Sequence, residues 1–211
     1  MKYKLLLATC IAGLGVFSFV AQPHHAPVLS SSAITSTDAP LQAAKLVIAD
    51  KHLIPVKEFV SRNNYNREIC FFIDMSVASG SRRFFIYDLK RDSTTEAGLV
   101  THGNCYQYWL EGRKYSNEVG SGCTSLGKYK IGKPYYGKFG LAYKLYGLDK
   151  TNNNTLKRFV VLHSHTCVPD EETKDDICQS NGCPTVSPSF LEKLRTIVDK
   201  SNKPVLLYIY E

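Results

Sequence analysis

A histidine and a cysteine near the C-terminal end carry the chemistry of this chain. The apolar run Phe159-Val-Val-Leu162 ends at His163, and Cys178-Gln-Ser-Asn-Gly-Cys-Pro184 follows after a polar, acidic interval. A thiol attacks only after losing its proton, and an imidazole on a separate element can take it. Gly182, just before Cys183, leaves room for a substrate carbonyl beside backbone N–H groups, which would hold the negative charge that develops on its oxygen.

A cysteine in an oxidising compartment is more often half of a disulfide. Three local features favour a working thiol at Cys183. Ser180-Asn181-Gly182 lets the backbone turn there, the helix expected from Pro188 starts just downstream, and His163 lies upstream. Two other arrangements compete. His165 shares a strand face with His163 and is the rival base, but His163 directly ends the apolar run. His163, His165, Cys167, Cys178 and Cys183 also form a zinc-type set, although their spacing fits no standard finger. No metal and no cofactor are therefore expected.

The elements that position this pair read as short strands between turns. Glu68–Met75, Arg83–Leu89, Thr124–Ile131, Leu141–Leu148 and Phe159–Leu162 are strand candidates, with turns at Ser79–Ser81, Asp88–Ser93 and Gly132–Pro134. Gly98–His102 leads into Gly103, and Tyr106–Gly122 reads as a long surface loop. Leu41–Val60 reads as a helix that Pro55 breaks or kinks. Ser187-Pro188 caps a second helix with the stripe Phe190, Leu191, Leu194, Ile197 and Val198, and Ser189-x-x-Glu192 has capping-box spacing. Pro204–Tyr210 closes the domain as a strand near the active centre. The fold class is mainly β with a few helices (α+β).

Composition fits a folded domain: 44% of the 211 residues are hydrophobic and 11% aromatic, enough to fill a core. The net charge of +7 comes from scattered lysines and arginines. It includes no basic block, so it reads as a solvated surface weakly attracted to anionic polymers, with no nucleic-acid partner. Residues 1–21 read as a secretory signal: a positive start, an apolar run from Leu5 to Val20, then the small Ala21. A retained anchor is the alternative. Residues 22–40 are a Ser-, Thr-, Ala- and Pro-rich linker, and 41–211 a single domain of the exported protein, in the periplasm or cell envelope, with no stable membrane span after processing. If Cys183 is a thiol, Cys70, Cys105, Cys123, Cys167 and Cys178 leave at least one more unpaired. Spacing suggests a Cys167–Cys178 bridge stapling the loop between His163 and Cys183.

Taken together, Phe85-Ile-Tyr-Asp-Leu-Lys90, Thr101-His-Gly103, Tyr115-Ser-Asn117, Ser125-Leu-Gly127, Tyr135-Tyr-Gly-Lys138, Val160-Val-Leu-His163 and Ser180-Asn-Gly-Cys-Pro184 resemble the murein L,D-transpeptidase catalytic-domain family, a YkuD-type branch. The resemblance covers roughly Leu41 to Tyr210. It implies a β-sandwich or barrel-like catalytic domain acting on peptidoglycan stem peptides through a cysteine. By position, Cys183 is then the nucleophile and His163 the base, the Ser164 carbonyl orients the imidazole, and the Gly182 and Cys183 N–H groups hold the oxyanion. Asn181 sits beside the substrate, Ser180 either touches it or caps the loop, and His102 and Tyr136 either line the stem-peptide cleft or are a strand-end histidine and a packed tyrosine. Asn181 and Pro184-Thr185 depart from the wider pattern, which bears on acceptor choice and on transfer against hydrolysis. An L,D-carboxypeptidase with the same pair, or a silent disulfide-stapled wall-binding domain, are the alternatives.

Overall fold

The computed structural model describes residues 48–211. The expected signal segment, the linker and the first residues of the expected N-terminal helix lie outside the described residues. The first helix, α1, spans Asp50–Arg62 and buries Leu53, Val56 and Val60, which recur at helical spacing on one face. Pro55 lies inside it instead of ending it. Pro55 and Lys51, whose carbonyl loses its helical donor there, are both exposed, so water can satisfy the freed oxygen.

Eight strands form one mixed sheet: β1 Ile69–Asp74, β2 Phe84–Asp88, β3 Ser93–Gly98, β4 Gly127–Gly137, β5 Gly140–Gly147, β6 Val161–Ser164, β7 Thr185–Val186 and β8 Leu206–Tyr210, in the order β3-β2-β1-β8-β4-β5-β6-β7. The C-terminal strand β8 enters the middle of the sheet, parallel to β1 and antiparallel to β4. The stretch after β3 bridges to β7 at the other end through Val100 and Val186, and the Thr101 N–H donates to the Thr185 carbonyl at 3.0 Å. The two ends of the strand order thus meet, and the sheet curls toward closure.

Alternation sorts the side chains onto two faces. Phe71, Ile73, Tyr129, Ile131, Tyr143, Leu145, Leu162, Leu207 and Ile209 form an inner core with Phe190, Leu191 and Leu194. These last three lie on the second helix, α2, Pro188–Lys200. Cys70, Phe72, Phe85, Tyr87, Leu206 and Tyr210 face the other way and pack with α1. Strands covered on both sides must be apolar throughout, which accounts for the unbroken Ile-Cys-Phe-Phe-Ile of β1.

Four local expectations change. Ser93–Gly98, where no strand was expected after the Asp88–Ser93 turn, is the edge strand β3; its polar sequence suits a strand with little to bury. β4 does not stop at Gly132-Lys133-Pro134 but continues past a register shift between Ile131 and Pro134. Phe159 is outside its strand, at φ 56° and 85% exposed, and β6 begins at Val161. The cap of α2 is Ser187, whose Oγ accepts from the Phe190 N–H at 3.2 Å; Ser189 bonds Asp170 instead of forming a capping box.

Candidate active site

His163 reaches its place through strand pairing. β6 lies between β5 and β7, and Ala142, His163 and Thr185 are direct cross-strand neighbours on the face opposite Leu162. The imidazole is 5% exposed. Its Nδ1 lies 3.0 Å from the Ser164 carbonyl, which can only accept, so Nδ1 carries the proton and Nε2 the lone pair. Nε2 faces the Thr185 hydroxyl at 3.1 Å. Phe139, at the tip of the β4–β5 hairpin, stacks on the ring with centroids 4.6 Å apart. Burial lowers the His163 pKa from its usual value, against the pull of the Ser164 carbonyl; His165 lowers it further.

Cys183 lies on the loop leading into β7 and is a free thiol. Its Sγ accepts from the Val161 N–H at 3.4 Å and lies 3.9 Å from the Phe159 carbonyl. Burial raises its pKa, while the Val161 N–H and the Arg158 guanidinium hold it down. The resting thiol is therefore protonated and turned toward the start of β6, with the His163 lone pair engaged by Thr185. Both side chains line one cleft of about 250 Å³, with Thr101, Phe139, His165, Gln179, Ser180 and Asn181 among its other walls.

The turn carrying Cys183 is fixed by close approach. Gly182 has φ +101°, and a Cβ there would lie 2.6 Å from the Cys123 carbonyl oxygen and 3.3 Å from the Arg158 Nη2. The missing side chain thus makes room for the neighbouring loop. The Gly182 N–H is engaged with the Ser180 Oγ at 3.2 Å, and that hydroxyl donates to the Cys183 carbonyl at 2.6 Å. Ser180 therefore holds the turn from within.

Two disulfides clamp the surroundings. Cys167–Cys178 staples the loop between β6 and Cys183, and Cys105–Cys123 closes the base of the long loop after β3. Cys70 is a buried thiol. No group of three or more His, Cys, Asp or Glu among the described residues could hold a metal.

Two expected cleft residues stand apart from it. His102 is 3% exposed, with Nδ1 3.1 Å from the buried Arg83 guanidinium. Burial and that cation lower its pKa to about 4. Only its backbone reaches the site, its carbonyl accepting from the Ser180 N–H at 2.9 Å. Tyr136 pairs with Leu141, one position off the Tyr135–Ala142 pair, so alternation turns it away from His163, and it is 77% exposed. His165 is exposed at the cleft wall, its Nδ1 taking the Cys167 N–H at 3.1 Å.

Sequence reasoning missed three neighbours. Arg158 bonds the Ser116 carbonyl and Ser125 Oγ at 2.9 Å each, the Ser121 Oγ at 3.3 Å and the Cys123 carbonyl. Thr185, noted only as a departure in the motif, meets the His163 imidazole. Phe139 stands between the turn glycines Gly137 and Gly140, where an aromatic has no hairpin role. That misplaced apolar residue was the readable signal.

Residues 42–210 match the family of the L,D-transpeptidase catalytic domain, and the chain belongs to it. Among solved structures it is similar to an L,D-transpeptidase from Mycobacterium smegmatis (10% identity, 68% of this chain, 59% of that one, TM-score 0.41). It is also similar to the helical cell shape determining protein Pgp2 from Campylobacter jejuni (16%, 74%, 55%, TM-score 0.42) and an L,D-transpeptidase from Xylanimonas cellulosilytica (14%, 71%, 62%, TM-score 0.37). The chain spans less than two thirds of each of these relatives. No curated protein matches it. Among the described residues, no helix is long and apolar enough to cross a membrane.

Proposed function

We propose that this protein is an exported L,D-transpeptidase that works on peptidoglycan stem peptides through a thioester on Cys183. The observation that carries the reading is the shared cleft: a free thiol and a neutral imidazole, oriented through Nδ1, line one hollow. The reaction requires the Cys183 Sγ to take the place of the Thr185 hydroxyl at Nε2. His163 then takes the thiol proton, and Sγ bonds to the carbonyl carbon of the third stem residue. The bond to the terminal D-alanine breaks, and its amine leaves with the proton from His163. An amine of a second stem attacks the thioester and releases the thiol; water in its place gives a carboxypeptidase. The Cys183 N–H is the backbone donor for the oxyanion, since the Gly182 N–H is committed to Ser180.

Incubation with a disaccharide tetrapeptide, read by mass, tests the reaction. A cross-linked dimer that Cys183→Ala abolishes is expected. Shortened peptide alone would assign hydrolysis, and unchanged substrate would refute the proposal. A penem-type β-lactam gives an independent readout: an intact-mass adduct expected on the protein and absent from Cys183→Ala.

A further inference from the structure

A second hollow, of about 810 Å³, opens where β4, β5 and the turn from α2 to β8 meet. Lys130, Lys133, Lys144 and Lys203 line it. Three come from the β4–β5 hairpin, and the fold brings Lys203 to them. None of the four stands in an ion pair among the described residues. The carboxylate in the hollow, Asp199, is already held by Arg195 at 3.4 Å and the Tyr143 hydroxyl at 2.8 Å. Two of the lysines are aimed by rings: the Lys130 Nζ lies 4.7 Å over Tyr146 and the Lys144 Nζ 5.8 Å over Tyr135. Like charges around one concave surface repel each other and focus a positive field into it, so the hollow suits an anion.

Tyr135 and Lys144 of this hollow lie on strands that pair toward His163. Thr185, His163, Ala142 and Tyr135 form one cross-strand line on the outer face of the sheet. Lys144 lies two residues from Ala142 on the same face of β5, roughly 7 Å along the strand. Its ammonium over the Tyr135 ring joins the catalytic line to the lysines, and Ile131, Val198 and Pro204 give the hollow apolar walls.

We propose that this hollow binds the side-chain and terminal carboxylates of the extended acidic peptide processed at Cys183. The inference rests on the function proposed above for its choice of peptide. A chain lying along β5 at ~3.4 Å per residue reaches Lys144 about two residues from the His163 line. The lysines fix its carboxylates and the apolar walls its aliphatic parts.

The test is binding to the full chain carrying Cys183→Ala, by fluorescence anisotropy. The probes are a labelled stem tetrapeptide with free carboxylates and the same peptide amidated. Replacing Lys130, Lys133 and Lys203 together by Gln removes three exposed pairings, so affinity for the free peptide should fall roughly ten-fold. The amidated peptide should bind both proteins equally weakly, and replacing the same three by Arg should restore binding. With Cys183 intact, the Gln variant should raise KM by the same factor at unchanged kcat. Equal affinity of the free peptide for both proteins would overturn the proposal, as would an equal loss for the amidated one. So would inorganic polyphosphate that binds more tightly than the peptide and is lost in the Gln variant, since the occupant would then be a phosphate polymer. Carboxylate-dependent binding without acyl transfer would uphold the hollow and refute only the catalytic reading.

Discussion

Gly182→Ala is the sharpest probe of how Cys183 is held. At φ +101° an alanine is strained, which costs ~1–3 kcal/mol. Its Cβ would also meet the Cys123 carbonyl oxygen at 2.6 Å, and that backbone cannot swing away as a flexible side chain could. Cys123 is tied to Cys105 and its carbonyl to Arg158. Relieving such an overlap costs roughly 1–3 kcal/mol more. A total near 4 kcal/mol corresponds to a fall in Tm of roughly 10 °C for a domain of this size. Gly112→Ala is the control. Gly112 has φ +69° with nothing within 4 Å, so it isolates the backbone cost of ~1–2 kcal/mol. Calorimetry on both variants gives the difference, and the rate of Cys183 alkylation shows whether the turn has moved. Equal Tm losses with wild-type alkylation would refute the claim that close packing against Cys123 sets the thiol's position.

Three further outcomes are expected. Burial holds His163 below its usual pKa and His102 at about 4 in the folded chain. The unfolded chain therefore takes up more protons as pH falls below ~6.5, and stability present above that pH is lost toward about 4. A denaturant midpoint flat across that window would contradict this. Arg158→Gln should slow Cys183 alkylation at fixed pH by removing the cation that favours the thiolate, and Arg158→Lys should slow it less; equal slowing would assign Arg158 to bracing alone. Replacing Cys167 and Cys178 by Ser should cost about 3 kcal/mol in denaturant melts. In denatured, unreduced protein, only Cys70 and Cys183 among the described cysteines should take up alkylating reagent; labelling of Cys167 and Cys178 would refute the pairing.

Much of this molecule was readable because its signals are local. β1, β2, β5 and α2 announce themselves through apolar runs, alternation and a serine-proline cap, whose physics operates within a few residues. The sequence also singled out His163 and Cys183, which line one cleft. β3 was not readable, because an edge strand with polar side chains differs from a turn only in its partner. Pro55 does not break α1, because the carbonyl it orphans belongs to an exposed residue, and the sequence does not record exposure.

The sequence by itself determined the family to which the chain belongs and supplied the candidate pair, His163 and Cys183. Tertiary structure alone decided which neighbours control them. Arg158, Thr185 and Phe139 come to the site from a loop, a two-residue strand and a hairpin tip. His102, equally eligible by type, is drawn away by Arg83. Four lysines spread over more than seventy positions face one hollow. Long-range strand pairing makes these choices, because a one-residue shift in register turns a side chain to the opposite face, and nothing local in the sequence marks that register.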